Sequence, residues 1–276
     1  MLVFFFIKWV EYFKPTFFVM ENVKGILTMG KGQVVEKIKK MYNDIGYKCK
    51  MQLLLAAEYG VPQLRERVFF IGTKDNRIEN LKVKKTHREK DDQKTPHKVG
   101  SLPAFLNVKD AFSDILDIIP LNKTNRKNLV NGYSNPPETK YQEYLRKNSD
   151  KLYDHVSPKH SDKVVNRIAY IDQGKNHASL PKNYQLKGGY PNIYGRLDLN
   201  KPADTITGNC GCVSAPGRFI HPTQNRAISV REAARLQSFP DDYRFFGSMR
   251  DRYKQIGNAV PPLLAKAIAK AIKEAF

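Results

Sequence analysis

The segment that most constrains the fold begins with a short apolar run, Phe17-Phe-Val-Met20. It is followed by Glu21, a glycine turn at Lys24-Gly25 and apolar residues at helical spacing, Val35, Ile38, Met41, Tyr42 and Ile45, which stop at Gly46. A compact apolar run bounded by a turn reads as a buried strand. The 3.6-residue recurrence reads as an amphipathic helix closed by a C-terminal glycine. Two further strands are predicted at 49–55 and 67–71, joined through Gly60 and Pro62. This is the pattern of the second half of a wound α/β sheet. The glycine-rich turn that opens a nucleotide-binding half is not found before it in these 276 residues.

Charge adds a hint about partners. With 47 Lys and Arg against 27 Asp and Glu, the chain carries a formal +20, which attracts a polyanion whatever its sequence. Nucleic acid is therefore the first partner to consider, although a lysine-rich solvated surface gives the same count. The cysteines Cys49, Cys210 and Cys212 cannot build a disulfide framework, and no Cys/His spacing suits zinc, so no metal site is predicted. The opening apolar run 2–7 is followed by Lys8, Glu11 and Lys14 and lacks a cleavage signature. No run is long enough to span a bilayer. The expectation is a soluble, cytoplasmic chain that makes no membrane contact.

Composition changes along the chain. Residues 74–100 are charged and poor in apolar side chains, as in an exposed linker. From 101 to about 226, short segments punctuated by Gly, Pro and Asn, such as Lys187-Gly-Gly-Tyr-Pro-Asn192, suit a loop-rich, mostly β module. Helical signals then return. Ser229-Val-Arg-Glu232 is a capping box whose helix should end before Pro240. A last helix opens at Pro261-Pro262, with Leu264, Ile268, Ala271, Ile272 and Ala275 on one face. The organisation expected is 1–73 as the C-terminal half of a catalytic domain, 74–250 as linker and recognition domain, and 251–276 as a helix returning to the sheet.

Four segments carry chemistry. Phe18-Val-Met-Glu-Asn-Val-Lys-Gly25 puts Glu21 at the C-terminal end of a buried strand, where ligands of open α/β sheets bind; alone, such an acid is more often a surface residue. Tyr59-Gly-Val-Pro-Gln-Leu-Arg-Glu-Arg-Val68 alternates so that Arg65 and Arg67 face one side, which in isolation reads as a solvated edge. The other two are Arg231-Glu-Ala-Ala-Arg-Leu-Gln-Ser-Phe-Pro240 and Gln255-Ile-Gly-Asn-Ala-Val-Pro-Pro262.

In this form and order the segments resemble the sixth, eighth, ninth and tenth motifs of the DNA cytosine-5 methyltransferase family. Tyr194-Gly-Arg-Leu-Asp198, Lys201-Pro-Ala-Asp-Thr-Ile-Thr207 and Gly217-Arg-Phe-Ile-His-Pro222 are similar to its DNA-reading region, and Val108-Lys-Asp-Ala-Phe-Ser-Asp114 to the start of its connecting segment. The resemblance covers nearly the whole chain. It implies a class I methyltransferase (Rossmann-like) sheet, a target-recognition domain and a C-terminal helix returning to the sheet. It also implies S-adenosylmethionine as methyl donor and double-stranded DNA as partner.

The resemblance implies roles as well. The family adds a cysteine thiolate to C6 of cytosine, and an acid held against N3, here Glu21, relieves the charge that builds on the ring. Arg67 would contact the cytosine O2 and orient Glu21, with Arg65 in support. The target base must be flipped out of the duplex to reach them. Gly257, Asn258 and Ala259 would lie near the methyl donor. Independently of the resemblance, residues 180–217 join Gly-rich turns to the base-capable side chains Asn192, Arg196 and Thr205, so DNA specificity is expected there; Thr205-Ile206 is similar to the family's paired threonine and aliphatic residue.

The family's glycine-rich first motif and its Pro-Cys nucleophile are not found in the sequence. The expectation is therefore a subunit completed by an N-terminal methyltransferase partner, inactive by itself. The alternatives are a non-enzymatic DNA-binding specificity module and the remnant of an interrupted gene. The last helix and the strand near Phe17 are expected to remain uncovered in the chain alone.

Overall fold

The computed structural model describes residues 2–90, 102–121, 130–186 and 190–276. Its first layer is built from α1 (Leu2–Phe13), β1 (Phe17–Val23), α2 (Gln33–Asp44), β2 (Lys48–Leu55), β3 (Gln63–Leu64) and β4 (Glu66–Thr73). β4 is the middle strand of a three-stranded sheet in the order β1-β4-β2, antiparallel to both neighbours. The predicted strands and the helix that ends before Gly46 are all present, with the strands one to three residues longer than their apolar runs.

Period-two alternation gives the sheet two covered faces. Phe18 and Met20 on β1 and Val68 and Phe70 on β4 turn toward α1 and α2, where Val3, Ile7, Val10, Ile38 and Tyr42 are buried with them. Phe69, Ile71 and Leu54 turn the other way, into a core completed by Leu264, Ile268 and Ala271 of the last helix, α8 (Pro262–Ala275; the elements between are given below). The apolar face of α8 is thus buried on this sheet. That corrects the expectation of an uncovered helix: the second half of the sheet supplies enough apolar area by itself. Ile78 and Leu81, from the stretch expected to be an exposed linker, are fully buried in the same core; 91–100 lies outside the described residues.

The second region contains α3 (Val108–Phe112), β5 (Val130–Gly132), α4 (Lys140–Arg146), β6 (Lys151–Tyr153), α5 (Asp162–Ile168), β7 (Gly195–Arg196), β8 (Ala203–Asp204) and β9 (Arg218–Ile220). After these come α6 (Val230–Leu236) and α7 (Met249–Asn258). Its strands form two-stranded pairs, β5 with β6, β7 with β9 and β3 with β8, among loops and short helices. The last pair is parallel and joins the two regions, since β3 leads directly into the sheet.

Sequence-local chemistry fixes the helix starts. Ser229 and Glu232 form the predicted capping box at α6, and Ser248 with Asp251 and Asn107 with Asp110 form two more, at α7 and α3. The turn from Lys187 to Gly189 lies outside the described residues. Among the described residues, no helix is long and apolar enough to cross a membrane, and no group of His, Cys, Asp and Glu could hold a metal ion.

Candidate active site

Glu21 and Arg67 meet because of sheet register. Glu21 lies opposite Phe69 and Arg67 opposite Val23, which makes the two diagonal neighbours on one face of the β1–β4 pair. Arg67 Nε stands 2.8 Å from Glu21 Oε1, with the Glu21 side chain 26% exposed, so the carboxylate has both a fixed cation and an open side. Arg67 Nη1 also donates to the Glu66 carbonyl at 2.7 Å, and Glu66 itself pairs with Lys24 at 2.7 Å. Burial lowers the Arg67 guanidinium from its ordinary range, and Glu21 opposes that shift.

Arg65 does a different job. It is 1% exposed and donates to three backbone carbonyls: Ile206 at 2.9 Å, Gly257 at 2.9 Å and Ala259 at 3.1 Å. Burial, with Arg67 close by, brings its guanidinium down to about 10. Gln63, which the sequence reading did not single out, is fully buried beside it. Its Oε1 accepts the Ile206 N–H at 2.8 Å, and its Nε2 donates to the Leu236 carbonyl at 3.0 Å and to Gln237 Oε1 at 3.1 Å. The Thr205 hydroxyl donates to the Leu64 carbonyl at 2.9 Å. Residues 63–65 therefore clasp the 205–206 dipeptide, and Arg67 on the same strand segment holds the carboxylate. Beside this clasp a cleft of about 950 Å³ opens, walled by Leu64, Asn107, Asp198, Lys201 and Arg218.

The other predicted residues are distributed unevenly. Asn192 is exposed and Thr205 half-exposed, while Ile206 is fully buried. Arg196 is 4% exposed and faces inward: it donates to the carbonyls of Ile168, Ile171, His221 and Gln224 and to Asn225 Oδ1. All five of these acceptors lie inside the domain, unlike the outward placement expected of a base-reading side chain.

Gly257 is required by a close approach. A Cβ there would lie 2.1 Å from the Gly208 nitrogen and 2.2 Å from the Thr207 carbonyl carbon. Asn258 ends α7 with an exposed side chain, and Ala259 is half-buried. Burial pushes the Cys49 thiol up to about 12 and raises Cys210 as well, while Cys212 is exposed, with its Sγ 3.1 Å from Ser214 Oγ.

A buried ionic framework supports this arrangement. Arg235 of α6 pairs with Asp114 at 2.5 Å and Asp241 at 2.6 Å, while Arg231 donates to the carbonyls of Tyr153, Pro240 and Tyr243. Burial opposes the charge on Arg235, but the two aspartates outweigh it and raise its pKa. The arginines of the Arg231–Pro240 segment are thus ties within the second region rather than solvent-facing groups.

Comparison with known proteins gives a consistent result. A family model described as "C-5 cytosine-specific DNA methylase" matches residues 1–274. The type II methyltransferase M.DdeI of Desulfomicrobium norvegicum is 36% identical over 98% of this chain, which spans 66% of that protein. M.AgeI of Thalassovita gelatinovora, also a type II methyltransferase, is 33% identical over 97% of this chain and 75% of its own length. Among solved structures, a prophage-encoded E. coli protein described as a DNA modification methyltransferase superposes with a TM-score of 0.71 at 26% identity. That match covers 98% of this chain and 72% of the other.

Proposed function

The chain belongs to the C-5 cytosine-specific DNA methylase family, and from that premise we propose what it contributes: the base-facing acid and the DNA-reading region of an enzyme that methylates C5 of a flipped cytosine in double-stranded DNA. The observation that carries this reading is the Glu21–Arg67 pair held on the same strand segment that clasps Thr205-Ile206.

In this reading the Glu21 carboxyl faces N3 of the flipped base and, in its acid form, donates a hydrogen bond as negative charge builds on the ring. Arg67 holds Glu21 in place and meets O2. The effect belongs to the transition state, since the ring is neutral before attack. Thr205 and Asn192 are offered to the DNA from the second region, and the +20 charge draws in the duplex.

S-adenosylmethionine, the family's donor, supplies the methyl group when bound. Of Gly257, Asn258 and Ala259, only Asn258 has an exposed polar side chain to offer it. Gly257 is used in packing on Gly208, and the Gly257 and Ala259 carbonyls are taken by Arg65. These residues do not by themselves fit a complete donor site. None of the three cysteines is assigned as nucleophile: burial raises the Cys49 and Cys210 thiols, and the Cys212 thiol is exposed beside Ser214. The thiolate and the glycine-rich donor loop are assigned to a polypeptide segment outside these 276 residues.

A labelled-methyl transfer assay on duplex DNA tests the proposal, run with this chain alone and with the chain co-purified with a complementing segment. Transfer only in the second case supports it. Absence of transfer in both leaves a DNA-binding module, recognised by salt-dependent duplex binding without chemistry.

A further inference from the structure

We infer that a cavity between α7 and the 207–215 loop is a binding site for a small aromatic anion, separate from the base site. Its volume is about 470 Å³, within the range of small-molecule sites. No residue lines both this cavity and the cleft beside Leu64, and neither Glu21, Arg67 nor the 63–65 clasp lines it.

The walls are set by packing within the chain. The Tyr253 hydroxyl donates to the Ile228 carbonyl at 2.7 Å, so its polar end is engaged and its ring serves the cavity as apolar surface. A Cβ at Gly211 would lie 2.4 Å from that ring, and one at Gly208 would lie 3.2 Å from the Lys254 Cα; the loop is seated directly on α7. The Cys212 N–H donates to the Asn209 carbonyl at 2.8 Å and the Ala215 N–H to the Cys212 carbonyl at 3.0 Å, which fixes the shape of the loop.

The lining divides by chemistry. Tyr253 is buried and Met249 and Ala215 are half-buried, giving an apolar floor, while Asn209, Cys212, Ser214 and Arg250 are exposed at the rim. Cys212 and Ser214 face each other at 3.1 Å. The Asn209 carboxamide and the Arg250 guanidinium make no hydrogen bond or ion pair among the described residues, and the neighbouring Asp251 carboxylate is taken up by Ser248. An uncommitted guanidinium above an aromatic floor suits a ligand with a flat apolar body and a single anionic head. A neutral ligand leaves the guanidinium unused, and a polyphosphate meets no second cation in the lining.

The loop also reaches the recognition segment. Thr207-Gly208 packs on Gly257, and Ile206 just before it is held by Arg65 and Gln63. A ligand in the cavity therefore braces the chain that leads to Thr205-Ile206 without entering the base site.

Cys212 reports occupancy, since it is exposed at the rim whereas Cys210 is buried and Cys49 half-buried. Alkylation of the isolated chain by iodoacetamide is followed at each cysteine by mass spectrometry, with naphthoate as the probe anion and naphthamide as its neutral isostere. Expected are saturable protection of Cys212 by naphthoate, an unchanged rate at Cys49 and a raised melting temperature. Arg250→Gln, at an exposed residue, should keep the fold and raise the half-protecting concentration about tenfold. Ala215→Phe, which fills the cavity, should abolish protection. No protection by naphthoate, equal protection by naphthamide, or a folded Arg250→Gln variant protected as well as the parent chain overturns the inference. A DNA duplex that protects Cys212 where naphthoate does not makes the cavity a nucleic-acid contact and overturns it as well. The readout needs neither methyl transfer nor a partner, so its failure leaves the proposed function standing.

Discussion

Arg67 Nε lies 2.8 Å from Glu21 Oε1, a contact set by the antiparallel register of β1 and β4 rather than by any local motif. An acid whose work is done as charge develops on a bound base should affect rate more than affinity. In a methylation-competent assembly, Glu21→Gln should lower the methyl-transfer rate by about 10²–10⁴ while duplex affinity changes little. Arg67→Ala should follow the same pattern. Single-turnover rates and DNA Kd measured on the same preparations decide this; losses of equal size in both would make Glu21 a structural residue.

Arg65 and Gln63 predict a different result, in stability. Replacing Arg65 by alanine leaves the Ile206, Gly257 and Ala259 carbonyls without their buried donor, at a cost on the order of 3 kcal/mol. Arg65→Lys should recover only part of this, since one ammonium cannot reproduce the guanidinium fork. Gln63→Leu should cost about 2 kcal/mol by freeing the Ile206 N–H and the Leu236 carbonyl. Urea midpoints of the isolated chain measure all three without requiring activity.

These two sets of residues also show what the sequence could and could not reveal. Strand and helix positions were legible from period and turn residues, and the α6 start from Ser229 and Glu232, because those signals are local. The Ser248–Asp251 box could have been found by the same rule. Arg196 and Arg67 could not be told apart: each is an arginine in a short extended segment, and only the tertiary fold turns one toward five acceptors in the domain interior and the other toward Glu21. Gln63 carries no signal in sequence, since its importance comes from partners more than 140 positions away. Gly257 was attributed to the methyl donor through resemblance, whereas its contact with Thr207-Gly208 supplies a packing reason.

A buried histidine makes stability depend on pH. His221 Nδ1 accepts the N–H groups of Thr223 at 3.2 Å and Gln224 at 3.0 Å, and its Nε2 lies 3.5 Å from Glu232 Oε1. Burial lowers its pKa to about 3, and Glu232 only partly opposes this; burial lowers His155 as well. The unfolded chain takes up protons near pH 6.5 that the folded chain refuses until about 3. Stability is therefore full above about 6.5 and falls as pH drops through that window, by up to ~1.4 kcal/mol per pH unit for each such group. Burial would raise the Glu232 carboxyl, but Arg226 and the neighbouring His221 and His155 together outweigh it and hold it below the usual carboxylate range, which adds a loss of the same sign at lower pH. Urea midpoints at pH 7.5, 6 and 5 should decline in order. His221→Asn, which keeps an acceptor, should flatten the decline and leave the part due to His155; an unchanged slope refutes the assignment.

The last prediction concerns DNA specificity, which we assign to residues 180–217. Within this stretch the side chains divide by burial. Asn192 is exposed and Thr205 half-exposed, with its hydroxyl on the Leu64 carbonyl, whereas Arg196 and Ile206 are committed to the interior. Base contacts specify sequence, so substitutions at the first pair should relax or change the preferred site. Those at the second should lower the melting temperature without changing which site is preferred among molecules that remain folded. Four of the five Arg196 acceptors are backbone carbonyls, and the Ile206 N–H is held by Gln63 from outside the stretch. Transplanting 180–217 into a family member of different specificity that carries a glutamine and an arginine at the positions of Gln63 and Arg65 should therefore give a folded chimera that methylates a new site. Sequencing of methylated positions on a randomised duplex library reads this directly. A folded chimera that kept the host's site would show that recognition lies in the flanking segments, and a changed site on Arg196→Lys alone would return that arginine to the DNA.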